Sequence, residues 1–432
     1  MTPEDRSFLV SLFDAAVAAA DPKEALRAHL PDRPKGRTVV IGAGKGAAQL
    51  ASAFEDLWND TLEGVVVTRY GYAMPCRHIR VLEAAHPVPD EAGLRASDAL
   101  LQAVSGLTED DLVVALICGG GSSLLPAPPA GLSLQDEQLL NSALLKSGAP
   151  IGVMNAIRKH VSRIKGGRLA AAAFPARVVS LVVSDVPGDN PAEVASGPTA
   201  PSAIALEEAR ALIVNHRIEL PERILSHLES DLARAPSPDD AIFARTETKV
   251  IASGCLSLEA AKHEAERRGI PAVILSAAIE GEARDIGLMH AAIAREVAGR
   301  NRPVAAPVVL LSGGETTVTI RDSGGRGGRN SEFLLSFASA IAEVAGVTAL
   351  AADTDGIDGS EDNAGAFADS NSATRMRAAG VDPLEALASH DSWGAFDAIG
   401  ELFVPGPTGT NVNDFRAILI QKVLKTEAQA GD

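Results

Sequence analysis

Positive charge is scarce in this sequence. Its 432 residues carry 39 Lys and Arg against 56 Asp and Glu, a formal net charge of −17. Nucleic acid and anionic membranes are therefore excluded as partners, because phosphate-rich surfaces require clustered Lys and Arg. An anionic ligand would need its positive charge supplied locally, so basic residues inside glycine loops are informative. Cysteine is scarce too. Cys76, Cys118 and Cys255 are far apart, odd in number and without CxxC spacing, which argues against a disulfide framework or a zinc site. No run reaches the length of a membrane span. The opening MTPEDRSFLVSLFDAAVAAA sets Phe8, Leu12, Phe13, Ala16 and Val17 on one helical face. It has no basic region before an unbroken apolar stretch, so it does not read as a signal peptide, and a soluble cytoplasmic protein is expected. Low-complexity blocks, helical repeats, a Ser-His-Asp elbow, HExxH and a paired-carboxylate glycosidase pattern are all missing.

What is present is hydrophobic material, 46% of the chain with only 3% aromatic, enough for sizeable cores and, at this length, two domains. One pattern recurs: a short apolar run, a glycine-rich or polar loop, then helical periodicity. It starts at Arg37 (RTVVIGAGKGAAQLASAF), Asp111 (DLVVALICGGGSSLL) and Arg177 (RVVSLVVSDVPGDNPAEVASGPT). It starts again at Thr248 (TKVIASGCLSLEAA), Pro307 (PVVLLSGGETTV) and Thr348 (TALAADTDGIDGS). Continuous apolar runs alternating with helices predict an α/β protein whose parallel strands are buried on both faces. Ligands bind such sheets beyond the carboxyl ends of the strands, where all these loops fall. Residues 203–246 carry helical patterns that end in a Pro/Ser/Asp-rich segment. The expected division is 1–240 and 241–432, both halves α/β.

The first loop places Gly42, Gly44 and Gly46 around Lys45. The P-loop spacing fails, since no hydroxyl follows Lys45 to take Mg²⁺, and Ala47 stands where a dinucleotide fingerprint has its third glycine. The next apolar run ends in Thr68 and Arg69, without an acid for a ribose hydroxyl. A variant dinucleotide turn and a bare strand–helix turn remain open; Lys45 between glycines favours an anion-holding turn. The second loop, CGGGSSLL, offers Gly119, Gly120 and Gly121 before Ser122 and Ser123. Those serines either cap a helix or add hydroxyls to a nest of N–H donors for phosphate or carboxylate. NAIRKHVSRIKGGRLA, residues 155–170, concentrates basic residues; Arg158, Ser162 and Lys165 share one helical face, with Asn155 a turn earlier. That face is either solvated or meets a charged ligand.

SDVPGDN sets Asp185 and Asp189 around a turn, and DTDGIDG sets Asp353, Asp355 and Asp358 in another. An EF-hand is rejected because the twelfth position is Ala364. Asx-turns would account for some of these acids; Mg²⁺ with phosphates would account for them together. Finally, GGRGGRNSE puts Arg326 and Arg329 in a glycine loop just before a helix, a setting for bidentate phosphate or carboxylate recognition. Arrayed Lys, Arg, Asp and Gly loops favour phosphoryl transfer, where positioning and charge neutralisation supply most of the catalysis.

Taken together, GAGKGA, AAHPVPDEAG, CGGGSSLL, NAIRKHVSRIKGGRLA, SDVPGDNPAEVASGPT, GEARD, SGGETTVT, GGRGGRNSE, DTDGIDGSEDNAGA and TGTNVND resemble the glycerate 2-kinase family almost end to end. The C-terminal part of that family is called the MOFRL domain. The resemblance implies two α/β domains facing a cleft, the first Rossmann-like with a mainly parallel sheet. It implies ATP as co-substrate, Mg²⁺ as cofactor and D-glycerate as the acceptor, phosphorylated at its 2-hydroxyl, and it leaves room for a homodimer. Lys45 and Arg329 match the family's important lysine and arginine, and Asp185 joins them as a catalytic candidate. The candidate binding set is Gly42, Gly44, Gly46, Gly119 to Gly121, Ser122, Ser123, Asn155, Arg158 and Lys165. Ser196 and Gly197, and Glu315 and Thr316, come with the matched motifs. Asp185, Asp189, Asp353 and Asp355 are the metal candidates. Departures from the family pattern are Cys118, Ser123, Ser202 and Ser331. Members have also been labelled hydroxypyruvate reductases, which makes an NAD(P)H-dependent reductase the second reading. His86 and His160 are the histidines within the motifs, and His86 is expected to order a turn. A non-catalytic sensor of small acids is a third reading, against which the aspartate array argues.

Overall fold

The protein is described from a computed structural model over residues 1–320 and 324–422. Its chain divides into two compact units. One is Pro22–Ala252; the other joins Met1–Asp21 to the residues from Ser253 onward.

In the unit Pro22–Ala252, strands β1 (Thr38–Ala43), β2 (Glu63–Arg69), β3 (Ile79–Ala84), β4 (Leu112–Cys118), β5 (Arg177–Ser184) and β6 (Thr246–Ser253) form a sheet in the order β3-β2-β1-β4-β5-β6. The pairs β1–β2, β2–β3, β1–β4 and β4–β5 are all parallel. Every residue of β1 and β4 is buried, as expected of Val/Ile/Leu-rich strands covered by helices on both faces. Val39, Ile41, Val113 and Ile117 pack with Leu100 and Leu169 in the main core. A separate cluster unites Leu140, Leu144 and Ile157 with Leu206, Ile213, Ile224 and Leu228, so the helices of the 203–246 region share a core with the helices Leu134–Lys146 and Ile151–His160. The order 2-1-4-5 reverses between β1 and β4, the Rossmann-like switch point where ligands bind in such sheets.

The other unit holds β7 (Ala272–Glu282), β8 (Val308–Thr317), β9 (Val347–Asp353), β10 (Gly365–Asp369), β11 (Leu402–Phe403) and β12 (Asp414–Ile420), in the order β11-β10-β9-β12-β8-β7. Here β7–β8 is parallel, but β12 runs antiparallel to both β8 and β9, and β10 runs antiparallel to β9 and β11. The expectation of parallel strands throughout is corrected for this sheet. Burial on both faces produces the continuous apolar runs whichever way a neighbour points. Along β8, Val308 and Leu310 join a core with Phe333 and Phe337. Val309 and Leu311 face the other way, toward a core with Leu350 and Phe415.

Two placements differ from the sequence-based division at residue 240. β6 pairs beside β5, so the first sheet continues past that point. The helix Pro3–Ala19 belongs with the later residues: Phe8, Leu9, Leu12, Phe13 and Ala16 share a core with Leu258, Phe403 and Phe415. Phe13 sits edge-on to Phe403 at 5.0 Å and to Phe415 at 5.8 Å between ring centroids. We expect Phe13→Ala to destabilise this unit by about 3–5 kcal/mol. Urea unfolding followed by a probe in that unit measures it, and an unchanged midpoint would contradict this packing.

Candidate functional site

At the carboxyl ends of β1 and β4 two glycine loops lie against each other. The Lys45 amide donates to the Gly119 carbonyl at 2.8 Å. The Gly46 amide points at the Cys118 sulfur at 3.3 Å, and the Thr68 hydroxyl donates to the Lys45 carbonyl at 3.0 Å. Gly44 has φ +136°, and a Cβ there would overlap the carbonyl and thiol of Cys118, so only glycine permits this approach. Gly42 proves to be part of β1 rather than of the loop, where a Cβ would strike the Leu116 carbonyl; its role is strand packing. Burial pushes the Cys118 thiol up to about 12, so the residue is an unreactive packing group where the family motif leads us to expect serine.

The half-buried Lys45 forms no ion pair among the described residues, and its stem lies beside Gly120 and His86. Gly120 is left-handed (φ +77°); a Cβ on Gly119 would overlap the Asp185 carboxylate, and one on Gly121 would meet Ala195. Asp185 follows β5, so the ends of β1, β4 and β5 converge. Burial first, then the charges of Lys45 and Arg69, push His86 down to about 4. His86 is thus a neutral ring against this loop and more than a turn residue.

The surrounding residues sort into two groups. Ser122 and Ser196 share a hydroxyl hydrogen bond of 2.8 Å, Ser196 donates to Asn155 at 3.2 Å, and Arg158 donates to Asn155 at 3.1 Å. This chain sits beside an unusual backbone: Ala195, Ser196 and Gly197 are all left-handed, at φ 52°, 61° and 59°. Such strain in non-glycine residues persists where surrounding structure enforces it and is concentrated at functional sites. Other predicted residues are committed elsewhere. Lys165 is buried in a 2.6 Å ion pair with buried Glu137, and Lys159 pairs with Glu193 at 2.6 Å. The helical face containing Lys165 therefore does not offer that charge to a ligand. Ser123 donates to the Gly120 carbonyl of its own loop. Asp189 lies at the tip of the turn after β5 with φ 53°.

A second cluster lies in the other unit, at one end of β8, β9 and β12. Because β12 is antiparallel to both neighbours, its first residue, Asp414, pairs with Gly314 of β8 and Asp353 of β9. Arg329 opens the helix Arg329–Ala340. Its Nε donates to Asp414 at 2.6 Å, one Nη to Asp353 at 2.7 Å and the other to Glu315 at 3.4 Å. Asp358 caps that helix, accepting from the amides of Asn330 and Ser331 at 2.9 and 2.8 Å and from the Ser331 hydroxyl at 2.7 Å. Thr316, predicted to bind ligand, is buried and donates its amide and hydroxyl to Asp414. Arg326 stacks on Trp393, its guanidinium 3.9 Å from the ring centroid.

Asp414 was missed as a site residue, although it ends the recognised TGTNVND motif. Burial alone would raise its carboxyl, but the charges of Arg416 and Arg329 hold it below the usual range. Asp353 goes the other way. Burial and the like charges of Asp355 and Asp414 raise it well above that range despite Arg329. Among the described residues no three His, Cys, Asp or Glu side chains gather as a metal cluster. Asp414→Asn would leave the fully buried Arg416 without its carboxylate partner. We expect a loss of about 3–5 kcal/mol in stability, the cost of breaking a buried pair on one side. Chemical denaturation of the variant tests this, and a loss below ~1 kcal/mol would assign the pair a surface-like role.

The comparisons with known proteins agree with this architecture. Residues 8–229 match a domain of unknown function, DUF4147, and residues 308–414 match the MOFRL family. A protein of Agrobacterium vitis named as a hydroxypyruvate reductase is 52% identical, over 96% of this chain and 94% of its own length. The glycerate 2-kinase of Pyrococcus horikoshii is 41% identical, over 88% of this chain and 86% of its own. A crystal structure of glycerate kinase from Thermotoga maritima superposes with a TM-score of 0.88 at 38% identity, covering 97% of this chain and all of that one. With its residues arranged on the same fold as these kinases, the chain belongs to the glycerate 2-kinase family, the enzymes that carry a MOFRL domain.

Proposed function

We propose that the protein transfers the γ-phosphoryl group of ATP to the 2-hydroxyl of D-glycerate, giving 2-phosphoglycerate. The observation that carries this reading is Lys45, a cation with no carboxylate partner among the described residues, held by glycine-loop backbone at the switch point of the first sheet. Lysines of the 155–170 run are internally neutralised, whereas Lys45 is able to meet an external phosphoryl group. Its flexible ammonium, beside the N–H groups of two glycine loops, suits charge that shifts among phosphoryl oxygens during transfer. Asp185, against Gly119 in the same group of loops, is assigned to the acceptor hydroxyl or to the metal. Arg329, in the other unit, is a catalytic candidate on the family resemblance alone, since its guanidinium is already held by Asp414, Asp353 and Glu315. Both substrates are small soluble molecules, consistent with cytoplasmic action, and no described helix is long and apolar enough to cross a membrane.

Mg²⁺ fits the donor set. Asp185, beside the glycine loops of the first unit, is the residue that would hold it there; within the other unit the candidates are Asp353 and Asp355, where burial first and then like charges raise the Asp353 carboxyl. Mg²⁺ commonly uses one or two carboxylates with substrate phosphates and water completing its shell. When bound, it would neutralise charge on ATP.

The reductase name carried by the Agrobacterium vitis relative finds little support in these residues. A 2-keto acid reductase requires a proton donor beside its substrate, yet His86 is held neutral far below pH 7. Purified protein with D-glycerate, ATP and Mg²⁺ should release ADP and yield 2-phosphoglycerate by NMR, and EDTA should abolish turnover. NAD(P)H oxidation on hydroxypyruvate without ADP formation would overturn the reading.

Lys45→Ala should lower kcat by ~10²-fold or more, as for a lost transition-state donor, with melting behaviour unchanged. Lys45→Arg should not restore it, because a planar fork does not replace a point charge in a tight glycine turn. Near-normal kcat in Lys45→Ala would make the loop structural. Arg329→Ala is a less discriminating test, since it also strips Asp414 and Asp353 of their shared partner.

A further inference from the structure

A second cation beside His86 also lacks a carboxylate partner among the described residues. Arg69 is the last residue of β2, the strand next to β1, and it is half-buried. Its side chain makes no hydrogen bond and no ion pair among the described residues, and its Nε is enclosed without a partner. Nearby arginines behave differently; Arg77, for example, pairs with Glu55 and Asp56. What orients Arg69 is an aromatic face, with its guanidinium 3.6 Å from the centroid of the Tyr72 ring. Stacking of that kind leaves the edge of the guanidinium, with its paired N–H donors, available in one fixed plane. In a chain with a net charge of −17, a half-buried arginine that no carboxylate among the described residues has claimed is an exception.

Its neighbourhood narrows the ligand. The His86 ring lies against Gly120 and is kept neutral by burial first and then by the charges of Lys45 and Arg69. The group therefore combines a planar two-donor fork, a neutral hydrogen-bonding ring and a point charge on a glycine loop. A 2-hydroxy acid presents the complementary set: a planar carboxylate, an adjacent hydroxyl, and the phosphoryl group arriving at that hydroxyl. A planar fork matches the two oxygens of a carboxylate, while the glycine loop and ammonium suit a phosphoryl group.

We propose that Arg69, braced by Tyr72, binds the carboxylate of the hydroxy-acid substrate and so selects acids over uncharged polyols. This rests on the kinase reading for the identity of the acid, but not for the presence of a carboxylate, which glycerate and hydroxypyruvate share.

Two measurements on the full-length protein test it: calorimetric binding of D-glycerate and of hydroxypyruvate, and steady-state KM values for D-glycerate and ATP. Arg69→Met keeps the stem and removes the fork. It should weaken acid binding and raise the KM for D-glycerate on the order of 10- to 100-fold, as for a lost charged hydrogen bond, with the KM for ATP unchanged. Arg69→Lys keeps the charge without the fork and should fall between, which supplies a second variant if the methionine protein does not fold. A rise in the KM for ATP alone would reassign Arg69 to the nucleotide phosphates and overturn the proposal. Unchanged values for both substrates in a folded variant would overturn it as well. Wild-type protein that binds neither acid would refute the functional reading itself. Wild-type binding that Arg69→Met leaves intact would refute only the assignment of Arg69.

Discussion

The 2.8 Å hydrogen bond from the Lys45 amide to the Gly119 carbonyl ties together the two strands between which the first sheet reverses its order. The candidate site of that unit depends on it. The bond requires the loops after β1 and β4 to approach backbone to backbone, which in turn requires glycine at 44, while glycine at 119 and 121 leaves room for Asp185 and Ala195. Once they do, Lys45 is set beside His86, Asp185 lies against Gly119, and the strained turn at Ala195–Gly197 packs on Gly121. A side chain on Gly44 would separate the two loops, one on Gly119 would displace Asp185, and one on Gly121 would displace Ala195.

The second unit reaches a comparable concentration of charge by a different route. An antiparallel strand inserted between β8 and β9 brings its beginning to where its neighbours end, so Asp414 meets Arg329, Thr316 and Arg416 in one place. The guanidinium of Arg416 also lies over the Phe333 ring at 4.9 Å. Buried charges are tolerated only when matched and hydrogen-bonded, and this arrangement matches two arginines with two aspartates. The helix that starts at Arg329 is anchored at the same point by Asp358. Side-chain position here is a property of the whole sheet end.

Much of this was legible in the sequence. β1, β4, β5, β8 and β9 announced themselves as continuous aliphatic runs because both of their faces are covered. The glycine loops and Arg329 were recognisable by spacing and by family resemblance. β12 was not, since DFRAILI carries an arginine in its middle; Arg416 is fully buried only because Asp414 neutralises it. Lys165 misled for the same underlying reason. Helical periodicity put it on a face with Arg158, but its partner, Glu137, comes from another helix 28 residues earlier in the chain. Local pattern reports which face a residue occupies, while a partner distant in sequence decides whether its charge is available.

The helix Pro3–Ala19 completes the core of the unit that begins at Ser253, and this has a consequence for biosynthesis. On the ribosome that helix is made before its partners, with the whole of Pro22–Ala252 emerging in between. Until Leu258, Phe403 and Phe415 have been synthesised, the apolar face bearing Phe8, Leu9, Leu12 and Phe13 has no permanent cover. Nascent chains with such exposed faces are prone to aggregate. The middle unit, by contrast, has all its strands in hand as soon as β6 emerges. Translation order thus leaves the helix Pro3–Ala19 waiting for partners that are made only after all the strands of the middle unit.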